Sequence, residues 1–220
     1  LSYSNRSDEY HGLSIAGPNS RKVLEKIVRD DVSNEKFKFR DSRRMFVGGV
    51  PAIINRISFT GELGYEIYVA PHYQLKLYEE LMEAGKEFNI KPFGGRALMS
   101  MRLEKNWGAW TLDYRPDFTA KETGLDAFIN WDKEFIGKES AQKENSSNKL
   151  VPLIVETNEI DVTNNEAVLN GDQSIGYVTS GGFAHFVNKS VAFTFVDQKK
   201  IKSENKIQVE INGDLFNCSI

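Results

Sequence analysis

Hydrophobic and polar residues change their period several times along the chain. Gly12 to Ala16 (GLSIA) is a short apolar run stopped by Gly17-Pro18-Asn19, which reads as a strand leading into a helix-start signal. In Ser20 to Val28 the apolar Val23, Leu24 and Ile27 recur at helical spacing. From Arg44 to Ala70 the period shortens. Met45 to Val47, a Gly48-Gly49 turn, Val50 to Phe59 and Gly64 to Val69 are β-rich runs, and they predict a three-strand meander. Pro71 opens a helical stretch striped by Leu75, Leu77, Tyr78, Leu81, Met82 and Ala84. A second helix is predicted from Gly95 to Lys105, with Leu98, Met101 and Leu103 facing inward.

The pattern then breaks. Residues 106–131 are aromatic and without a clear period, carrying Trp107, Trp110, Tyr114, Phe118, Phe128 and Trp131; long irregular segments inside compact domains are often functional. Phe135-Ile136-Gly137 leads into a short polar helix ending near Lys143, and Glu144 to Lys149 (ENSSNK) is the one linker-like piece. Beyond it the sequence is almost purely β: Val151 to Glu156, Ala167 to Leu169, Ser174 to Thr179, Ser190 to Phe195, Ile207 to Ile211 and Leu215 to Ser219. Short strands separated by turns such as Asn170-Gly171-Asp172 and Asn212-Gly213-Asp214 predict a small barrel or sandwich. The expected class is therefore α+β, with an α+β part over 1–146 and an all-β part over 147–220.

Composition narrows the function without naming it. A chain of 220 residues with 40% hydrophobic and 27% charged residues is ordinary globular material, unlike disordered or collagenous sequences. The net charge of −3 is spread with interspersed signs, which is not the footprint of a nucleic-acid binder. No apolar run approaches the roughly 18 residues of a membrane span, and no basic-then-apolar leader is present. A cytoplasmic location is expected, or the mitochondrial matrix in a eukaryote. The single Cys218 forbids an intramolecular disulfide, and its place in an alternating strand pattern suits packing rather than chemistry. The start at Leu1 instead of Met is expected to mark part of a longer protein.

Generic catalytic motifs are absent: there is no P-loop, dinucleotide fingerprint, zinc-binding HExxH helix or GxSxG elbow. His11, His72 and His185 stand in unrelated contexts, and no metal site is expected of them. Glu66 is the informative carboxylate, because alternation in Gly64-Tyr65-Glu66-Ile67-Tyr68-Val69 puts it opposite the apolar Tyr65, Ile67 and Val69. On a solvated face it is simply a polar-out position. On a cleft wall it is a bidentate acceptor for a ligand presenting two parallel N–H donors, such as the N3 and 2-amino edge of a pterin. Arg96 follows Pro92-Phe93-Gly94-Gly95 at a helix start, where the helix dipole favours acids over bases. It is either a surface or ion-pair residue or a contact to an anionic or polar ligand.

The runs LSIAGPNSRKVLEKI (13–27), ISFTGELGYEIYV (57–69), GGRALMSMRLEKNWGAW (94–110), FIGKES (135–140) and IGYVTSGGFAHFVNKSVAFTFV (175–196) resemble the folate-dependent aminomethyltransferase family, the T-protein of the glycine cleavage system and its relatives. They occur in the family's order over nearly the whole chain. The stretch 107–140 is most similar to the folate-binding portions of dimethylglycine and sarcosine dehydrogenases. The resemblance implies a partial T-protein folate-binding domain (1–146) followed by a C-terminal β-barrel (147–220), with tetrahydrofolate as the bound cofactor and methylene-tetrahydrofolate as the product. It places Glu66 on the glutamate that grips the pterin and Arg96 on a second folate contact. Phe59 stands where the T-protein usually has a tyrosine against the folate, and Trp110 falls on an aromatic wall position. The family's aspartate near the reactive nitrogen comes from a part of the fold expected upstream of Leu1, so no catalytic residue is assigned to this chain. The implied partners are folate, the upstream half of the folate module and, in the dehydrogenases, a domain carrying FAD, with neither nucleic acid nor membrane. Three other readings stay open: a fragment of a glycine cleavage aminomethyltransferase, a structural domain that retains no ligand binding, and a noncatalytic folate-binding relative. The latter relatives carry a KGCY-type cysteine motif, which Cys218 does not match.

Overall fold

A computed structural model describes residues 2–157 and 159–220. The chain forms two compact units, one ending at Leu98 and one running Met99–Ile220.

The first unit is a four-stranded antiparallel sheet with helices on one face. β1 (His11–Ala16) leads into α1 (Ser20–Ile27); β2 (Ser42–Val47), β3 (Val50–Asn55) and β4 (Gly64–Val69) follow, then α2 (Gln74–Gly85) and the opening of α3 (Gly95–Glu104). The meander expected from sequence is present, and β1 completes it by pairing with β4, giving the order β1-β4-β3-β2. Gly48 and Gly49 both have positive φ (55° and 80°), the signature of the two-residue turn that matches strand twist in a hairpin. The alternation in β4 is obeyed: Tyr65, Ile67 and Val69 are buried. They pack with Val23 and Leu24 of α1 and Leu77, Leu81 and Ala84 of α2 in one core.

Two details differ from the periodic reading. Leu75 is 68% exposed, because the buried set of α2 runs through Leu77, Leu81 and Ala84 and leaves it on the outer side. β3 stops at Asn55 rather than Phe59. The connection 56–63 is held by its own polar groups, with Arg56 donating to the Phe37 carbonyl and to Asn34, and Ser58 bonded to Thr60 at 2.7 Å.

The second unit ends in a closed barrel. Its strands are β5 (Asn148–Val155), β6 (Ala167–Asn170), β7 (Gln173–Ala184), β8 (Lys189–Asp197), β9 (Ile207–Ile211) and β10 (Asp214–Ser219), in the order β10-β5-β8-β7-β6-β9, with β9 pairing back onto β10. Closure leaves no unpaired sheet edge, and Val155, Val168, Val178, Val209 and Ile211 fill the interior. β7 runs to Ala184, well past the expected Thr179, through a register irregularity between Val178 and Ser180. The mixed helix-and-strand class with a C-terminal barrel is thus observed. The division into compact units at Leu98 groups 99–146 with the barrel. Glu144 to Lys149 is tied down by side chains: Ser146 donates to Glu122 and Ser147 to Asp197.

Ahead of the barrel the chain follows α3 and α4 (Lys138–Lys143), with the aromatic segment between them. That segment is anchored by a buried charge pair the periodicity of α3 does not announce. Leu103 is buried as expected, but so is Arg102, while Leu98 and Met101 are only partly covered. Arg102 Nη1 donates to Asp113 Oδ2 (2.5 Å) and to the Trp107 carbonyl (3.0 Å). Asp113 also accepts the Ala109 N–H and the hydroxyls of Thr179 and Ser180. The guanidinium lies 5.5 Å from the Phe193 ring centroid, but its Nε and Nη2 have no partner among the described residues. Removing one member of a buried pair strands the other in a low-dielectric interior.

Two outcomes follow. Asp113→Ala should lose about 3–5 kcal/mol of stability, read as a lower midpoint of urea unfolding. Cys218 is packed against the barrel core, and burial pushes its thiol up to about 12. In the native protein at pH 8 it should therefore react slowly with a thiol reagent such as dithiobis(nitrobenzoate), and rapidly once the barrel is unfolded.

Candidate functional site

β4 sits inside the sheet between β1 and β3, so each of its outer side chains has a neighbour on both sides. Glu66 lies opposite Ser14 of β1 and Asn55 of β3, and Tyr68 lies opposite Gly12 and Ile53. Directly paired residues share a face with Cβ atoms roughly 4.5–5.5 Å apart. The outer face of the first unit therefore carries a polar row, Ser14–Glu66–Asn55, next to an apolar one.

Glu66 is held rather than free. Tyr68, two residues along the same strand and hence on the same face, donates its hydroxyl to Glu66 Oε2 at 2.7 Å. Gly12 makes that pose accessible: a Cβ there would stand 3.0 Å from the Tyr68 ring, so the missing side chain lets the ring lie across β1. The bond to the carboxylate, with desolvation second, pushes the Tyr68 phenol up to about 12. It remains a donor across the physiological range. Oε1 of Glu66 accepts no hydrogen bond among the described residues.

A cleft of about 670 Å³ runs along β1, bordered by Ser14, Phe59 and Glu66 on one side and by Tyr78, Met82 and Phe93 on another. Its size falls within the roughly 300–1,000 Å³ of small-molecule sites. Tyr78 and Met82 belong to the stripe expected to be core; on α2 they face the cleft instead.

Of the four residues singled out from sequence, Glu66 and Phe59 share this cleft. Arg96 lies on the exposed first turn of α3 and is not among the lining residues. Trp110 belongs to the second unit and is 76% exposed. It rides on a tight turn: the N–H groups of Asp113 and Tyr114 both bond the Ala109 carbonyl, and the Tyr114 hydroxyl accepts the Gly108 N–H at 3.1 Å. Thr111 takes φ 70° there, a strained value for a β-branched residue. Trp110 meets Tyr114 edge-on, with ring centroids 5.7 Å apart. Sequence reading missed Ser14, Asn55, Gly12 and Tyr68. Tyr68 was within reach, two residues from Glu66 in the same alternation; the others need the cross-strand register.

The arrangement is a rigid carboxylate with one oxygen open, beside an aromatic ring on a cleft wall. It suits recognition of a flat ligand with adjacent N–H donors. Among the described residues no group of His, Cys, Asp and Glu is placed to hold a metal ion, and no helix is long and apolar enough to cross a membrane.

A four-stranded sheet unit with a cleft beside Glu66 precedes a closed six-strand barrel along the chain. The family model described as the GCVT N-terminal domain matches residues 1–133. The model of the glycine cleavage T-protein C-terminal barrel domain matches 148–220. The chain belongs to the glycine cleavage T-protein family. It is 35% identical to mitochondrial dimethylglycine dehydrogenase of Mus musculus, covering 98% of this chain and 25% of that protein. It is 32% identical to the aminomethyltransferase of Thermoanaerobacter pseudethanolicus, covering 96% and 58%. The crystal structure of glycine cleavage system aminomethyltransferase T from Bartonella henselae shares the fold, with a TM-score of 0.80 at 22% identity over 96% of this chain and 58% of that one. The chain thus spans about a quarter of the dehydrogenases and somewhat over half of the aminomethyltransferases it matches.

The Tyr68–Glu66 bond gives a pH signature. Because the folded phenol titrates near 12 against about 10 in an unfolded chain, its contribution to stability is complete below pH 10 and is lost as pH rises through 12. In a spectrophotometric tyrosine titration the wild type should show a component near 12 that Tyr68→Phe removes. An unchanged titration would contradict the bond.

Proposed function

We propose that this chain is the tetrahydrofolate-binding C-terminal part of a dimethylglycine or sarcosine dehydrogenase-like enzyme, which passes a one-carbon unit to tetrahydrofolate to form methylene-tetrahydrofolate. The observation that carries it is Glu66, fixed by Tyr68 with one oxygen open on the wall of a cleft it shares with Phe59. A carboxylate so held accepts the N3 and 2-amino protons of a pterin as two charge-assisted hydrogen bonds, one on the open Oε1 and one on the second lone pair of Oε2. Phe59 lies against the ring system. Arg96 as a second folate contact and Trp110 as an aromatic wall rest on the family resemblance, since neither lines this cleft; 1–146 serves as the folate-binding part and 147–220 as the barrel.

The chemistry asks for positioning more than for covalent work by side chains. When bound, tetrahydrofolate would supply N5 and N10 as the nucleophiles that take up the one-carbon unit, the donor amine leaving with the proton released from N5 and the N10 proton passing to solvent. Glu66 sets where N5 stands by holding the far edge of the pterin. No general acid or base is assigned here. In the dehydrogenase reading a flavin held by an upstream domain would supply the oxidation of the N-methyl amine that gives the carbon, and a eukaryotic protein would work in the mitochondrial matrix. The 35% identity to dimethylglycine dehydrogenase supports this reading. The 32% identity to a bacterial aminomethyltransferase supports a second one, in which the carbon comes from an aminomethyl lipoyl group and ammonia leaves.

Titration calorimetry of the complete protein with reduced folate tests the site. Glu66→Ala should weaken binding by about 2 kcal/mol, roughly 30-fold, the worth of hydrogen bonds to a charged group. Arg96→Ala should weaken it several-fold. Equal binding by wild type and both variants would show the site is elsewhere.

A further inference from the structure

Glu66 does not stand alone on its face. In the register of the sheet it is flanked by Asn55 on β3 and Ser14 on β1, one residue on each neighbouring strand. The inner neighbours Ile54 and Ile15 are buried, so alternation turns Asn55 and Ser14 outward with Glu66. Asn55 is partly covered and Ser14 is exposed, and among the described residues neither side chain has a hydrogen-bond partner. Two polar side chains with unspent capacity thus bracket a carboxylate whose Oε2 is held by Tyr68. Ser14 also lines the cleft.

We infer that the row Asn55–Glu66–Ser14 reads a 2-amino-4-oxopyrimidine edge as a unit, with Asn55 and Ser14 as specificity-determining residues on either side of Glu66. The inference rests on the reading of this cleft as a reduced-folate site. The edge presents, in order, a carbonyl oxygen, an N–H, an amino group and a ring nitrogen: acceptor, donor, donor, acceptor. The row presents the complement. The Asn55 amide donates to the carbonyl oxygen, the Glu66 carboxylate accepts the two central donors, and the Ser14 hydroxyl donates to the ring nitrogen. Three strands spaced about 4.8 Å apart put the outer two side chains on either side of such an edge, with a hydrogen bond at each end. Recognition of this kind discriminates, because a ligand lacking a central donor or the carbonyl leaves Glu66 or Asn55, both partly covered, without a partner.

The same edge occurs in guanine, so the test has a folate arm and a guanosine arm. Binding of 5-formyltetrahydrofolate and of guanosine to the complete protein would be measured for wild type, Glu66→Gln, Ser14→Ala, Asn55→Leu and Asn55→Asp, with thermal unfolding to confirm that each variant folds. The order of the Asn55 variants is decisive. If Asn55 donates to the carbonyl, Asn55→Leu should bind reduced folate about ten-fold more weakly than wild type. Asn55→Asp, nearly isosteric with asparagine but an acceptor only, should be weaker still by at least another ten-fold. Ser14→Ala should cost three- to ten-fold. A merely structural asparagine would tolerate aspartate at least as well as leucine. If Glu66→Gln loses binding while Asn55→Asp binds as well as Asn55→Leu, or Ser14→Ala matches wild type, the flanking roles are wrong and the folate reading stands. Should guanosine bind more tightly than the folate with the same dependence on all three residues, the row's reading holds and the folate assignment is overturned. If Glu66→Gln changes nothing, both fall.

Discussion

The candidate site depends on the register of β4. This strand is enclosed by β1 and β3, and its inner residues Tyr65, Ile67 and Val69 are sealed into the core under α1 and α2. A slip of one residue would turn these three to the outside and bring Glu66 and Tyr68 into an apolar interior, where an unpaired carboxylate costs several kcal/mol. The core therefore enforces the position of the carboxylate. Every neighbour of Glu66 follows from it: the hydroxyl two residues along, the glycine that makes room for that ring, and the polar side chains on each flanking strand.

The second unit solves a different problem. Residues 106–131 lack regular structure apart from a single turn of 3-10 helix, Asp126–Phe128, so their backbone groups must find partners elsewhere. Asp113 supplies much of the answer, gathering Arg102, the Ala109 amide and two hydroxyls of β7 into one buried network. The closed barrel provides a rigid strand against which that network is built. The result is an aromatic turn, with Trp110 outermost, whose conformation is set by buried polar bonds.

Much of the architecture was legible in the residues. Glycine pairs, strand alternation and the spacing of turns in 167–219 anticipate the hairpin, the outward Glu66 and the barrel. Other features depend on partners distant in sequence. The joining of β1 to β4 comes from pairing across some fifty residues, and the burial of Arg102 from an aspartate in an aperiodic loop. An arginine at that position of α3 reads as a solvated face until its acceptor is known. Phe59 was legible as a ring near Glu66 only through family resemblance, since it lies in an irregular connection beyond β3. Asn55 and Ser14 carry no local signal, because a polar residue at an outward strand position is what alternation expects anyway.

Family membership and the geometry of Glu66 together make the folate reading specific at the level of single atoms: the carboxylate should hold the N3 and 2-amino protons of the pterin. The most direct measurement is NMR of reduced folate labelled with ¹⁵N at N3 and the 2-amino group, bound to the complete protein. The account predicts a slowly exchanging, downfield N3 proton in wild type that disappears in Glu66→Gln. A bound folate whose N3 proton exchanges freely with water, or stays protected when Glu66 is replaced, would contradict it.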